Sequence, residues 1–234
     1  MKLLRYLVPG TFRSGGKLRT TLQLIKNMLF TYGWWKSYSK RACLDKDGNP
    51  IPWITYPCID FLSQFDFSGK SIFEYGGGYS TLFWSKRAER IVSVESDKAW
   101  YDFIKPKMPA NCELLYSSDA PKEYAGQIGK YQKFDVIVID GPGATRPVCA
   151  QIAAQHLAPG GMVILDNSDL WQKSASILRA NPDFIQVDFT GFTPLSGNAS
   201  TTSIFLRRDS QLRPLNGHQP HKSVAQPGEP WGDA

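Results

Sequence analysis

Seven short apolar runs recur along the chain at intervals that suit buried strands. Ile72-Phe73 leads into an acid and three glycines, Ile91 to Val94 ends in Glu95, and Cys112 to Tyr116 is followed by Ser117-Ser118-Asp119. Phe134 to Ile139 is apolar apart from Asp135 and ends in Asp140-Gly141-Pro142-Gly143. Met162 to Leu165, introduced by Pro159-Gly160-Gly161, ends in Asp166-Asn167. Runs that are continuous rather than alternating predict strands buried on both faces, as in a parallel sheet. Phe184 to Phe189 and Thr202 to Leu206, separated by a Gly/Pro/Asn loop, predict a closing antiparallel pair. Val148, Ile152 and Leu157 recur on one side of a helix over 146–157, and Ile59 to Phe65 predicts a helix against the first strand. Strands alternating with helices and ending in a hairpin predict an α/β three-layer sandwich with a mostly parallel seven-stranded sheet over residues 70–208.

Composition narrows the class. With 234 residues and 42% apolar content the chain can bury one good core. No run of eighteen apolar residues exists to span a bilayer, and the first ten residues lack the long apolar stretch of a secretory signal. Four scattered cysteines (Cys43, Cys58, Cys112, Cys149) have no metal-ligand spacing, so reduced thiols and a cytoplasmic location are expected. Charge is uneven: residues 1–44 carry nine Lys or Arg and no acid, while the remaining 190 residues sum to −3. Within this leader Leu18, Leu22, Ile25 and Leu29 form one helical stripe, followed by Phe30, Tyr32, Trp34 and Trp35. Three readings stay open for residues 1–69. The leader is a helical lid over a cleft, a membrane or polyanion surface that contacts the membrane inner face at about 1 kcal/mol per cation, or a contact for nucleic acid. From Asp209 to Ala234 the chain is poor in large apolar residues and predicts a mobile tail.

The candidate chemistry gathers at the ends of the strands. Three consecutive glycines after a strand let backbone approach a ligand, and Glu95, nineteen residues past Gly76, stands where an acid binds the hydroxyls of a ribose. A dinucleotide site wants glycine where Thr81 stands, and Glu74 repels a pyrophosphate. A cationic cofactor without phosphate, S-adenosylmethionine, suits that acid. The pattern Glu74-x-Gly76-x-Gly78 resembles the first motif of Rossmann-like (class I) methyltransferases using this cofactor, with Ser80 in place of a frequent third glycine. The resemblance covers roughly residues 70–208 and extends to poorly characterised bacterial members. It implies that Asp119 meets the adenine and that Glu74 with Gly76, Gly77 and Gly78 holds the amino-acid end. Ser80, Thr81, Ser96 and Asp140 complete the candidate cofactor set.

Methyl transfer to a hydroxyl requires a base. His156 sits near a helix end, and His218 and His221 lie in the tail, so a histidine base is not expected. Asp140, Asp166 and Asn167 end neighbouring strands and offer a hard oxygen site suited to Mg²⁺. The placement resembles metal-dependent O-methyltransferases of the catechol and macrolide-sugar types. Against a metal, Asp140 is followed by Gly-Pro-Gly as in metal-free relatives, and Asp166-Asn167 also suits a helix cap. Asp140, Asp166 and Asp169 are the catalytic candidates, with Arg146 either facing the cleft or solvated. The expected function is O-methylation of a sugar, glycan precursor or other small polar acceptor. Two alternatives remain, a nucleic-acid methyltransferase, disfavoured because Asp140-Gly-Pro-Gly is not the usual amino-directed motif, and a non-catalytic cofactor-binding protein at the membrane.

Overall fold

A computed structural model describes residues 16–226. The leader begins with α1 (Gly16–Lys26), which runs through a widened turn closed by Tyr32 N–H donating to Asn27 O at 3.0 Å, and continues as α2 (Trp34–Lys40). After α3 (Tyr56–Leu62) come β1 (Ser71–Tyr75), α4 (Tyr79–Ser85), β2 (Arg90–Glu95) and α5 (Lys98–Ile104). The chain continues through β3 (Cys112–Tyr116), α6 (Pro121–Gly126), β4 (Phe134–Ile139) and α7 (Arg146–His156). It finishes with β5 (Leu157–Leu165), α8 (Gln172–Arg179), β6 (Phe184–Phe192) and β7 (Ala199–Arg207).

The strands form one seven-stranded sheet in the order β3-β2-β1-β4-β5-β7-β6. Only β7 runs against its neighbours. Chain order reverses between β1 and β4, which opens a crevice beyond their carboxyl ends, the usual ligand position in open α/β sheets.

Alternate residues of each strand feed two cores. On one face Phe73, Tyr75, Ile137, Ile139 and Val163 pack against α6, α7 and α8 through Tyr124, Ala150, Ala153 and Leu178. On the other face Ile72, Ile91, Val138 and Ile164 pack against α3 and α4 through Ile59, Leu62, Phe83 and Trp84. Burial of both faces is why these strands read as unbroken apolar runs. Ile51, Ile54, Phe65 and Phe67 join the second core, so residues 51–67 of the leader are part of the body.

Several boundaries differ from those the pattern predicts. α3 starts at Tyr56 rather than Ile59, because Pro57 sits in the first turn, where its missing N–H costs nothing. β5 begins at Leu157 and absorbs Pro159-Gly160 through a register irregularity opposite Phe134/Val136. The β6–β7 ladder extends to Phe192↔Ala199. The segment from Asp209, expected to be mobile, runs back along the body through residue 226. Asp66 N–H donates to Arg213 O, Leu215 N–H to Gln64 O, and Leu212 packs on the second core. The remainder of that segment, including Trp231, lies outside the described residues.

One buried hydroxyl joins the leader to the sheet. Thr202 Oγ1 accepts from Thr55 N–H at 3.1 Å and donates to Asp166 Oδ1 at 2.6 Å, and both threonines are fully buried. Thr202→Val orphans a backbone donor and a carboxylate oxygen, so urea unfolding should show a loss of about 2 kcal/mol or more. An unchanged unfolding midpoint contradicts that role.

Candidate active site

The glycine turn is held from below by Glu74. This fully buried side chain uses Oε2 to accept from Ser93 Oγ at 2.8 Å and from Thr81 Oγ1, while Oε1 has no hydrogen-bond partner. Thr81 Oγ1 also accepts from Gly78 N–H at 2.9 Å, so the carboxyl group, Thr81 and the turn form one network. Burial pushes the Glu74 carboxyl above its ordinary range. Gly76 has φ of +101°, and a Cβ there would lie 2.7 Å from Asp140 O. The close approach of the ends of β1 and β4 therefore requires glycine.

Above this turn is a cavity of about 310 Å³, lined by Gly76, Gly77, Gly78, Tyr79, Ser80, Glu95, Trp100 and Asp140 from the sheet domain. Arg41, Ala42, Cys43 and Trp53 of the leader and Leu195 of the β6–β7 loop close its other side. Trp100 is fixed by Nε1–H donating to Gly77 O at 2.8 Å. Glu95 Oε1 accepts from the N–H groups of Ser96 and Asp97, both at 2.7 Å, and Oε2 has no partner among the described residues. The carboxylate is thus pre-oriented with one oxygen free. Burial raises its pKa.

The three non-glycine residues with positive φ among those described are Arg41 (50°), Asn167 (50°) and Leu195 (65°). Two line the cavity and the third follows Asp166. Strained backbone of this kind concentrates at functional sites. The Trp34 indole N–H donates to Ser196 O at 2.8 Å, tying α2 to the loop that carries Leu195.

Beside the cavity, the ends of β4 and β5 are joined by Arg146. Its guanidinium is buried and donates Nε–H to Gly141 O (2.8 Å), Nη1–H to Asp166 O (2.6 Å) and Nη2–H to Asp140 Oδ1 (2.8 Å). The centroid of the Trp171 ring lies 5.4 Å from the guanidinium carbon, and the ring occupies the space a Cβ on Gly143 would need. Asp140 keeps about a quarter of its side chain exposed to the cavity, yet the surrounding protein raises its pKa to about 6, with Arg146 opposing. Asp166 is buried and raised to about 8, first by burial and then by Asp140. Burial holds the Cys43 thiol up at about 12.

These positions weigh against the metal expectation. Asp166 Oδ1 is taken by Thr202, the Asn167 amide donates to Ser200 Oγ at 2.8 Å, and Asp140 is paired with a guanidinium. A divalent ion would have to displace a cation that already satisfies three acceptors, so the set does not fit Mg²⁺. Among the described residues, no group of three His, Cys, Asp or Glu side chains is placed to hold a metal.

Other sequence candidates lie apart from the cavity. Asp119 is exposed and does not line it, and exposed Asp169 accepts from Thr201 N–H at 3.2 Å. Glu74 and Thr81 lie beneath the turn, and Ser96 contributes only its N–H to Glu95. Arg41 and Trp100 carried no motif that marked them, whereas Trp53 and the 191–201 loop that holds Leu195 were candidates for the substrate side. A larger hollow of about 640 Å³ lies at the other end of the strands, but its acids are engaged: Asp66 with Ser68 N–H, Asp135 with Lys70 and Ser71, Asp209 with Arg207.

Solved structures share this architecture. An O-methyltransferase from Bacillus cereus, in complex with SAH, superposes with a TM-score of 0.56 at 16% identity, over 80% of this chain and 97% of that one. The O-methyltransferase TomG from Streptomyces achromogenes, involved in tomaymycin synthesis and in complex with SAM, gives 0.50 at 16% identity, over 62% and 74%. This is the fold of S-adenosylmethionine-dependent O-methyltransferases. No family model matches the chain, and no curated protein matches it in sequence. At such identity the likeness carries the methyltransferase fold alone.

The raised carboxyls give a pH dependence. Asp166 has an ordinary value of 3.8 and a folded value of about 8, so between them the native state holds a proton that the unfolded state releases. Native stability should therefore fall as pH rises from about 4 to about 8, with Asp140 contributing up to about 6. Thermal melts across that range should show the decline, and Asp166→Asn should flatten it. A melting temperature that rises across the window contradicts the assignment.

Proposed function

We propose that the protein is an S-adenosylmethionine-dependent O-methyltransferase acting on a hydroxyl of a small polar acceptor, a sugar or glycan precursor being the class intended. The observation that carries this reading is the pairing, in one cavity, of a glycine turn and a half-free Glu95 carboxylate with a second carboxylate, Asp140, facing them. When bound, the cofactor supplies an electrophilic methyl group on a sulfonium.

Glu95 Oε2 would accept from the ribose hydroxyls, and the Gly76–Gly78 backbone with Ser80 would hold the amino-acid end. Tyr79 and Trp100 form apolar walls. Glu74 acts through Thr81 to hold the turn in shape. Asp140 would accept the proton of the acceptor hydroxyl as that oxygen takes the methyl group the bound cofactor supplies. A value of about 6 leaves Asp140 ionised at neutral pH and more basic than an ordinary aspartate. Arg146 orients that carboxylate, and no metal is required. Trp53, half-exposed at the rim, offers an aromatic face to an acceptor ring.

Calorimetry should show S-adenosylmethionine binding that Glu95→Ala weakens about tenfold or more. With labelled cofactor and a panel of sugar and lipid-linked glycan acceptors, transfer should persist in chelator. Asp140→Asn should lower kcat by about 10²-fold or more with cofactor affinity little changed. Saturable NAD binding without S-adenosylmethionine binding would refute the assignment, and a fully active Asp140→Asn protein would remove the base.

A further inference from the structure

We infer that α1 is a docking element for an anionic lipid surface. It contributes no buried residue, and its apolar stripe faces solvent: Leu18 is 67% exposed, Leu22 56% and Ile25 46%. The helix is nevertheless anchored at its far end, where Met28, Tyr32 and Trp34 pack on the second core and the Trp34 indole binds the β6–β7 loop. An apolar face on a secured element, without a partner among the described residues, is an unfilled contact.

Charge selects the occupant. The ionised side chains of α1 are Lys17, Arg19 and Lys26, all basic, and no acid occurs anywhere in residues 1–44. At 100° per residue, Arg19 and Lys26 fall on one flank of the Leu18–Leu22–Ile25 stripe and Lys17 on the other. A stripe bordered by cations on both sides lets the leucines enter the acyl boundary while the ammonium and guanidinium groups meet lipid phosphates. Phe30, Trp35 and Tyr38, just beyond the helix, are about half exposed and suit the headgroup zone. A second copy of α1 is disfavoured because it would bring cations against cations. Nucleic acid would leave the apolar stripe unused. The rest of the chain, residues 45–234, is net negative, so attraction to an anionic bilayer is confined to the leader.

Flotation of the full chain with vesicles tests this. The protein should bind phosphatidylcholine vesicles containing phosphatidylglycerol and bind phosphatidylcholine alone at least about tenfold more weakly, with binding falling as salt rises. The L18E/L22E/I25E variant should lose binding by about tenfold or more while its circular dichroism, melting temperature and cofactor titration match the parent, since those side chains lie outside both cores. Absence of binding to the anionic vesicles overturns the inference. So does undiminished binding by the triple variant, a dimer in light scattering that the variant dissolves, or an RNA gel shift that competes with vesicles. Cofactor affinity, measured in parallel, separates any such failure from failure of the methyltransferase reading.

Discussion

The guanidinium of Arg146 is the interaction on which the candidate site depends. A buried cation is tolerated only when paired and hydrogen-bonded, and here it reaches Gly141 O, Asp166 O and the Asp140 carboxylate. These acceptors sit at the carboxyl ends of β4 and β5, so one side chain fixes the spacing of two strand tips and the direction of Asp140. Two acids compete for this one cation in a poorly hydrated region. With Asp166 raised to about 8 and Asp140 to about 6, near neutral pH the favoured state has Asp166 protonated and Asp140 ionised against Arg146. That state carries no net charge and leaves one carboxylate facing the cavity.

The leader has two faces with opposite chemistry. Ala42, Cys43, Ile51 and Ile54 are buried, and Arg41, Trp53 and Cys43 form one side of the cavity. Upstream, α1 turns its apolar stripe to solvent. The join is made by buried or half-buried hydrogen bonds, Thr55 to Thr202 and Trp34 to Ser196, which fix the leader to the β6–β7 hairpin. The cavity is therefore closed by segments more than a hundred residues apart in sequence.

Much of the sheet was legible in the chain because desolvation of both faces demands unbroken apolar strands. The run from Phe134 to Ile139 marked a central strand to the residue. Extents were less legible where polar sequence is carried by pairing, as at Thr190↔Thr201 and Gly191↔Ser200, which read as loop but extend the hairpin ladder. At the site, the glycine turn and Glu95 were visible because a sharp turn and a strand-tip acid are local features. Arg146 was ambiguous, since nothing in Thr145-Arg146-Pro147 distinguishes a solvated helix start from a buried clamp.

Local pattern alone determined the layer architecture, the glycine turn after the first strand and the row of acids at the strand ends, because periodicity and backbone freedom act over a few residues. Only the folded chain decided which acids share a hollow. Asp140 faces it, Asp166 turns to Thr202, Asp169 holds the backbone of Thr201, and Asp119 stays in water. The direction of a carboxylate depends on which donors arrive from distant segments and on how much water they exclude, and neither is written in its own neighbourhood.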